Sequence, residues 1–314
     1  MASVLPWDQS TFTGRLNYYA RVTDPRLMFA STSTLDRVEQ IVKAKKGDTL
    51  LHHVTKKEVV RAHVIYNSAF HPDTGDRMNV IGRMSAQVPC GMMIIGGMMV
   101  FYKTTPQVIG MQFINQTFNA IVNYTNRNAK SQTTNVQIAS AYIGATSGAV
   151  FASVGLNSLL VKAPTLLKRW VPLVAVMAAN CVNIPTMRQR ELIDGILVTD
   201  KDGNTLGRSR KAAVKGIGQV LLSRLFLVTP VMLFIPTLMQ SLEKLPFFKR
   251  GLFVSAVTQM LLSGCFLLAT VPSSCSLFPQ QCSLRYDQLE TSLQQEIRKK
   301  YDHQIDRVYF NKGL

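Results

Sequence analysis

Five long apolar runs lie between a polar beginning and a polar end of the chain. They cover about residues 88–102, 136–161, 170–184, 217–239 and 251–271. A helix needs about 20 mostly apolar residues to cross the hydrocarbon core of a bilayer. The second, fourth and fifth runs reach that length, and the other two need adjoining polar residues. Since Arg224 is the only charged residue inside the runs, we predict an all-α, polytopic membrane protein with about five transmembrane helices.

The segments around these runs predict three regions. Residues 1–87 form a soluble, helical N-terminal region, because apolar side chains such as Leu35 and Val59 recur at helical spacing. Residues 88–272 form the membrane region, which includes an amide-rich segment at 107–128 and a basic loop at 187–215. Residues 273–314 form a polar C-terminal tail that contains an amphipathic helix.

The charge of the chain reflects missing acids rather than added bases. The 314 residues include 35 Lys and Arg against 18 Asp and Glu, which gives a formal net charge of +17, and no acid occurs between Arg77 and Arg190. The basic residues are spread between apolar runs instead of clustering on one arm, so we predict a lipid bilayer and no nucleic acid as a partner. The five histidines lie outside the runs, which disfavours a proton relay inside the membrane.

Catalytic and metal-binding motifs are absent from the sequence. It contains no GxSxG, no HExxH and no Gly-rich phosphate loop followed by Lys and Ser or Thr. We therefore predict neither an enzyme nor a cofactor. The HPDTG motif (His71, Pro72, Asp73, Thr74 and Gly75) offers too few ligands for zinc or iron, so we interpret it as a turn and predict no metal site.

The sequence leaves open whether two of the cysteines form a disulfide. Cys275 and Cys282 flank a short loop and could form a disulfide in an oxidising compartment. The five cysteines show no CxxC pair and no disulfide-scaffold density. The sequence therefore favours free thiols.

The amide-rich segment supplies the first candidate binding residues. Asparagines recur there at steps of four, four and three, which places them on one face of a helix. Such a face could solvate a small zwitterion, or it could hydrogen-bond to neighbouring helices. The four residues are Asn115, Asn119, Asn123 and Asn126.

Three further residues lie within the apolar runs. Asn180 and Asn183 precede Pro185, and transporters place binding sites where helices are interrupted, although an ordinary proline kink is the alternative. Arg224 could anchor a substrate carboxylate, or it could snorkel toward the membrane surface. We take these three residues and the four asparagines as candidate substrate-binding residues.

Long motifs along the chain resemble the sideroflexins. The resemblance covers essentially the whole chain, although position 76 is Asp where the family often has Glu. The motifs are WDQST at 7–11, HPDTG at 71–75, NVIGRMS at 79–85, FYKTTP at 101–106, NAIVNYTNR at 119–127, AANCVNIP at 178–185, MRQRE at 187–191 and YFNKGL at 309–314.

The resemblance implies a location and an activity that composition alone does not reach. It implies a five-span protein of the mitochondrial inner membrane that moves serine into the matrix for one-carbon metabolism. It also implies an N-terminus in the matrix and a C-terminus in the intermembrane space. The alternative is a non-transporting scaffold or regulator of mitochondrial iron or haem homeostasis. Homo-oligomers are compatible with both functions.

Overall fold

Within the described residues, the N-terminal region contains three α-helices that begin at well-defined caps. The computed structural model describes residues 5–44, 54–72, 74–101, 103–126, 135–159, 164–246, 252–301 and 305–313. Helix α1 is Phe12–Val22, α2 is Thr32–Lys43 and α3 is Lys56–Ala69. Thr55 and Glu58 form a capping box at the start of α3. Leu35, Val38 and Ile41 of α2 are buried against α3, which confirms the helical spacing of these apolar residues.

In the described part of the chain, the membrane region is a bundle of six long helices with two short ones, Thr165–Arg169 and Gln189–Asp194, between them. They are α4 (Gln87–Phe101), α5 (Thr105–Thr125), α6 (Asn135–Leu159), α7 (Thr165–Arg169), α8 (Val171–Met187), α9 (Gln189–Asp194), α10 (Arg210–Leu242) and α11 (Leu252–Ser276). Within the described residues, five helical segments are long and apolar enough to cross a membrane: Met84–Phe101, Ala139–Leu156, Leu167–Met187, Arg210–Leu242 and Phe253–Ser276. They match the five predicted runs and confirm an all-α, multi-pass fold.

Small residues allow the long helices to approach closely. A Cβ atom on Gly96 of α4 would lie 2.8 Å from the Cα of Met260 in α11. Cβ atoms on Gly144 and Gly148 of α6 would lie 3.4 and 3.6 Å from Val182 of α8. Close approach through small residues is a general means of packing helices in membranes.

The bundle has two ends that we name for what lies there. The proximal end carries Gly82, Thr125, Met187, Arg210 and Ser276, close to the N- and C-terminal regions. The distal end carries Phe101, Thr105, Arg169 and Leu242. Arg169 donates to Glu243 at 2.6 Å, which holds two helix ends together on the distal side.

A small sheet forms at the proximal end. Strands β1 (Ile196–Thr199), β2 (Thr205–Ser209), β3 (Gln281–Arg285) and β4 (Arg307–Asn311) are antiparallel in the order β2-β1-β4-β3. Helix α12 (Thr291–Lys300) packs on it through Leu293 and Ile297. The sheet was not predicted, because its strands have four or five residues each and two come from what was interpreted as a loop.

Helix α1 ties the N-terminal region to the same end. The buried Arg15 donates from Nε to the carbonyl of Ser276 at 2.9 Å. Cys275 and Cys282 are both free thiols. Cys282 donates to the side-chain oxygen of Gln219 at 3.0 Å, and burial raises the pKa of its thiol.

Candidate functional site

A cavity lies in the proximal half of the bundle, between α4, α5, α8, α10 and α11. Its volume is about 60 Å³, which is small beside the roughly 300–1,000 Å³ of most small-molecule sites. The polar residues that line it are Gln87, Asn115, Asn119, Asn180 and Arg224. Its apolar walls include Ile94, Ile95, Phe118, Val176, Leu227, Val228, Leu267 and Val271. Four of the seven residues predicted from the sequence therefore meet at one cavity.

Helix α5 supplies two of the asparagines from consecutive turns. Asn115 is 8% exposed, and its Nδ2 has no hydrogen-bond partner within the described part of the chain. Asn119 follows four residues later and lines the same cavity. An amide donor buried without a partner costs about 1–3 kcal/mol. Asn115 therefore offers an unsatisfied donor to any ligand that enters.

Helix α8 supplies Asn180 from the opposite wall. Its Nδ2 donates to the carbonyl of Val176 at 3.0 Å, which leaves the amide oxygen as the acceptor for a ligand. Pro185 lies inside α8, near its proximal end. The interruption predicted from Pro185 does not end the helix, since α8 continues to Met187.

Helix α10 supplies the charged residue that lines the cavity, Arg224. Arg224 lies 14 residues after Arg210, which is about 21 Å along the helix. Among the described residues Arg224 makes no hydrogen bond and no ion pair, although Cys275 lies close enough for an electrostatic interaction. Guanidinium groups bind carboxylates with two parallel hydrogen bonds. An arginine in a mostly apolar cavity is therefore suited to an anionic group.

The remaining predicted residues lie away from this cavity. Asn123 is half-buried on α5, and Asn183 is buried on α8, but neither lines it. Asn126 caps α5, with its Nδ2 donating to the carbonyls of Gly82 and Val122 at 3.0 and 2.9 Å. Gln87 lines the cavity although sequence reasoning missed it, because it lies just before the first apolar run and resembled a boundary residue.

Comparison with known proteins identifies the family of the chain. The family model for sideroflexins matches residues 4–314. The chain belongs to the sideroflexin family. It is 51% identical to Sideroflexin-2 of Bos taurus over 98% of this chain and 96% of the relative. It is 48% identical to Sideroflexin-1 of Homo sapiens over 98% of this chain and 95% of the relative.

A third sideroflexin has a similar identity to the chain. The chain is 50% identical to Sideroflexin-2 of Drosophila melanogaster, over 98% of this chain and 96% of the relative. Residues 127–129, 170–172 and 262–266 also resemble sideroflexin-2, and the first of these segments lies outside the described residues. No solved structure matches the chain.

The HPDTG motif that carries part of the sideroflexin resemblance forms a turn after α3. His71 Nδ1 accepts from the backbone N–H of Thr74 at 3.3 Å. Gly75 has φ of 73°, which favours glycine. Asp73 lies outside the described residues, and Pro72 is exposed. Among the described side chains, no group of three His, Cys, Asp or Glu could hold a metal ion.

Proposed function

We propose that this sideroflexin is a carrier of the mitochondrial inner membrane that moves serine into the matrix, where it feeds one-carbon metabolism. The observation that supports this proposal is the cavity that Arg224 lines together with Asn115, Asn119 and Asn180. A cavity that joins one fixed cation with several amides, inside a multi-pass bundle, suits a small zwitterion. The resemblance to the sideroflexin family supplies the organelle and the substrate.

The chemistry of the lining residues assigns each group of the substrate a partner. The substrate carboxylate binds Arg224, whose guanidinium has no ion-pair partner within the described residues. The Nδ2 of Asn115 donates a further hydrogen bond to the substrate. The amide oxygens of Asn119, Asn180 and Gln87 accept from the substrate's ammonium and hydroxyl groups. Since these acceptors are neutral, the ammonium is held less tightly than a carboxylate would hold it.

The lining also favours transport over a reaction. None of the residues that line the cavity is a carboxylic acid or a histidine, and general acid–base catalysis uses these groups most often. A carrier that is neither proton-coupled nor catalytic needs only to bind and release. We therefore prefer facilitated exchange or uniport to proton-coupled transport.

Uptake of labelled serine into liposomes that contain the purified full-length protein tests the proposal. Arg224→Gln and Asn180→Ala should each lower uptake at sub-saturating serine. For Arg224 the loss should be about tenfold to a hundredfold, because a hydrogen bond to a charged group contributes about 1.5–3 kcal/mol. Wild-type uptake should exceed that of empty liposomes.

Two matched variants keep the test specific. Asn183→Ala changes the same residue type on α8, one turn from Asn180 and away from the cavity, and should leave uptake near wild type. Arg298→Gln removes an exposed arginine from α12 and should also be silent. Wild-type uptake equal to that of empty liposomes would overturn the carrier and favour the non-transporting scaffold or regulator. Unimpaired Arg224→Gln would overturn the assigned site.

A further inference from the structure

We propose that Lys312 is a second carboxylate-binding residue of this carrier, placed between the cavity and the proximal end of the bundle. The inference rests on the proposed function, because it assigns a second position to the same substrate carboxylate that binds Arg224. The carboxylate of a small amino acid then passes from one cation to the next as it enters or leaves the cavity. The evidence is the place of Lys312, its burial and the contacts that its ammonium lacks.

The place of Lys312 is fixed by its contact with α10. Lys312 follows directly after β4, and a Cβ atom on Gly216 would lie 3.4 Å from its Cα. Gly216 precedes Arg224 by eight residues, which is about 12 Å along α10. Cys275 of α11 lies close enough to interact electrostatically with both Arg224 and Lys312. The two cations therefore follow one another along the interior of the bundle.

The helices beside the two cations leave them free for an anionic ligand. Val271 of α11 lines the cavity, and Cys275 follows it one turn nearer the proximal end. Neither α10 nor α11 contains an Asp or a Glu. No acid on these two helices therefore competes with a substrate carboxylate for Arg224 or Lys312.

The ammonium of Lys312 has few partners of its own. Lys312 is 4% exposed. Its Nζ donates to the carbonyl of Phe278 at 2.9 Å and lies 5.9 Å from the centre of the Phe278 ring. An ammonium has three donors, so two are left within the described residues, where no carboxylate forms an ion pair with Lys312. Burial lowers the pKa of Lys312, and an anionic ligand would offset the cost of burying this charge.

The C-terminal segment stays in place without this ammonium. The backbone N–H of Lys312 donates to the carbonyl of Gln280 at 3.0 Å, and its own carbonyl accepts from Arg188 Nη1 at 2.7 Å. Phe310, two residues earlier, is 2% exposed in the apolar core beneath the sheet. These contacts would remain if an apolar group of the same length replaced the ammonium.

A purely structural role for the charge is the alternative. Phe278 follows the end of α11 at Ser276, and cations near the C-terminus of a helix interact favourably with its last carbonyls. In that role the loss of the charge would lower stability. In the carboxylate-binding role it would lower transport while the fold stays as stable as before.

Two cations in succession suit a carrier better than one. Movement through a membrane protein needs binding that is strong enough to admit a charged group and weak enough to release it, and several positions in a row meet both needs. A carboxylate held by Arg224 alone would have to leave two hydrogen bonds for apolar surroundings. Lys312 offers it a second cation about 12 Å along α10.

Uptake of labelled serine into liposomes that contain the purified full-length protein tests the proposal. Lys312→Met removes the charge and keeps a side chain of similar length, so it should lower uptake at sub-saturating serine about tenfold. Lys312→Arg keeps the charge and should retain most of the uptake. The temperature of thermal unfolding in detergent should stay near the wild-type value for both variants.

Lys215→Met is the matched control. Lys215 is exposed on α10, and its Nζ also donates to a main-chain carbonyl, that of Ser283, at 3.0 Å. This variant loses the same charge and the same kind of hydrogen bond at a position that faces solvent. Its uptake should therefore stay near wild type, and a tenfold loss there would show that any nearby charge has this effect and would overturn the assignment to Lys312.

The remaining outcomes separate this inference from the proposed function. Wild-type uptake equal to that of empty liposomes would overturn the carrier and this inference together. Wild-type uptake above that level, with Lys312→Met unimpaired, would overturn this inference alone. A loss of uptake in Lys312→Met that comes with a clear fall in its unfolding temperature would show that the ammonium holds the end of α11. Equal losses in Lys312→Met and Lys312→Arg would show that the charge is not what matters. Either result would overturn the second carboxylate position.

Discussion

The two halves of the helix bundle are built from the same helices but have opposite interiors. The distal half is filled by large apolar side chains, among which Met98, Met232, Ile235 and Met239 are almost fully buried. The proximal half contains the cavity, with Arg224 and the amides of Asn115, Asn119 and Asn180 on its walls. The bundle thus separates a packed interior from a polar, hollow one.

In the proposed carrier, the distal half provides stability and the proximal half binds the substrate. Inside a membrane there is little hydrophobic force between helices, so van der Waals packing holds them together. The distal half provides that packing. In the proximal half, Asn115 Nδ2 and Gln116 Nε2 are buried without a partner in the described residues. Such groups weaken a fold, and they are useful where a ligand can satisfy them.

Truncation of the distal core should have the largest effect. Ile235 is 0% exposed, so Ile235→Ala should lower the free energy of unfolding by about 2–5 kcal/mol. Thermal unfolding of purified protein in detergent measures this loss. Ile143→Ala removes the same atoms from a residue of α6 that is 62% exposed, and it should change stability by less than about 0.5 kcal/mol. Equal losses for the two variants would contradict a packed distal half.

Crowding the contact between α4 and α11 should have the next largest effect. A Cβ on Gly96 would lie 2.8 Å from the Cα of Met260, and a backbone atom cannot move aside as a flexible side chain can. Gly96→Ala should destabilise the protein by about 1–3 kcal/mol. Gly110→Ala on α5 is the matched control, because no atom lies within 4 Å of its added Cβ. A stable Gly96→Ala variant would show that the two helices are not tightly joined there.

Removing an amide from the proximal half should change function more than stability. Asn115→Leu replaces a buried, unpaired donor with an apolar side chain, so the free energy of unfolding should stay the same or rise by up to about 1 kcal/mol. Uptake of serine into liposomes should fall, because the cavity loses a polar group. Thermal unfolding and uptake, measured on the same preparation, test both expectations. A strongly destabilised variant would mean that Asn115 holds the fold together.

The sequence predicted the apolar part of this structure well. Runs of apolar residues are a strong signal, and all five correspond to helices. The steps between Asn115, Asn119 and Asn123 predicted one face of a helix, and the first two do line the cavity. The lone charge of Arg224 also identified a residue of the cavity.

What the sequence missed depends on contacts between distant segments. The sheet joins strands from residues 196–209 to strands from residues 281–311, and such short strands carry no distinctive pattern. Asn126 continues the helical spacing of Asn115 and Asn119, but its side chain caps α5 and donates to the carbonyl of Gly82. Asn183 lies one turn after Asn180, but it does not line the cavity. The burial of the amides of α5 was hidden because an amide-rich segment looks polar until its neighbours in the fold are known.

The ion pair at the distal end should have the smallest effect on stability. Arg169 and Glu243 approach to 2.6 Å, but their side chains are 31% and 36% exposed, so solvent screens their attraction. Glu243→Gln should therefore lower the free energy of unfolding by no more than about 1 kcal/mol, and added salt should shrink the difference. Unfolding at low and high salt measures it. A loss as large as that of Ile235→Ala would mean that charge, rather than packing, holds the distal half closed.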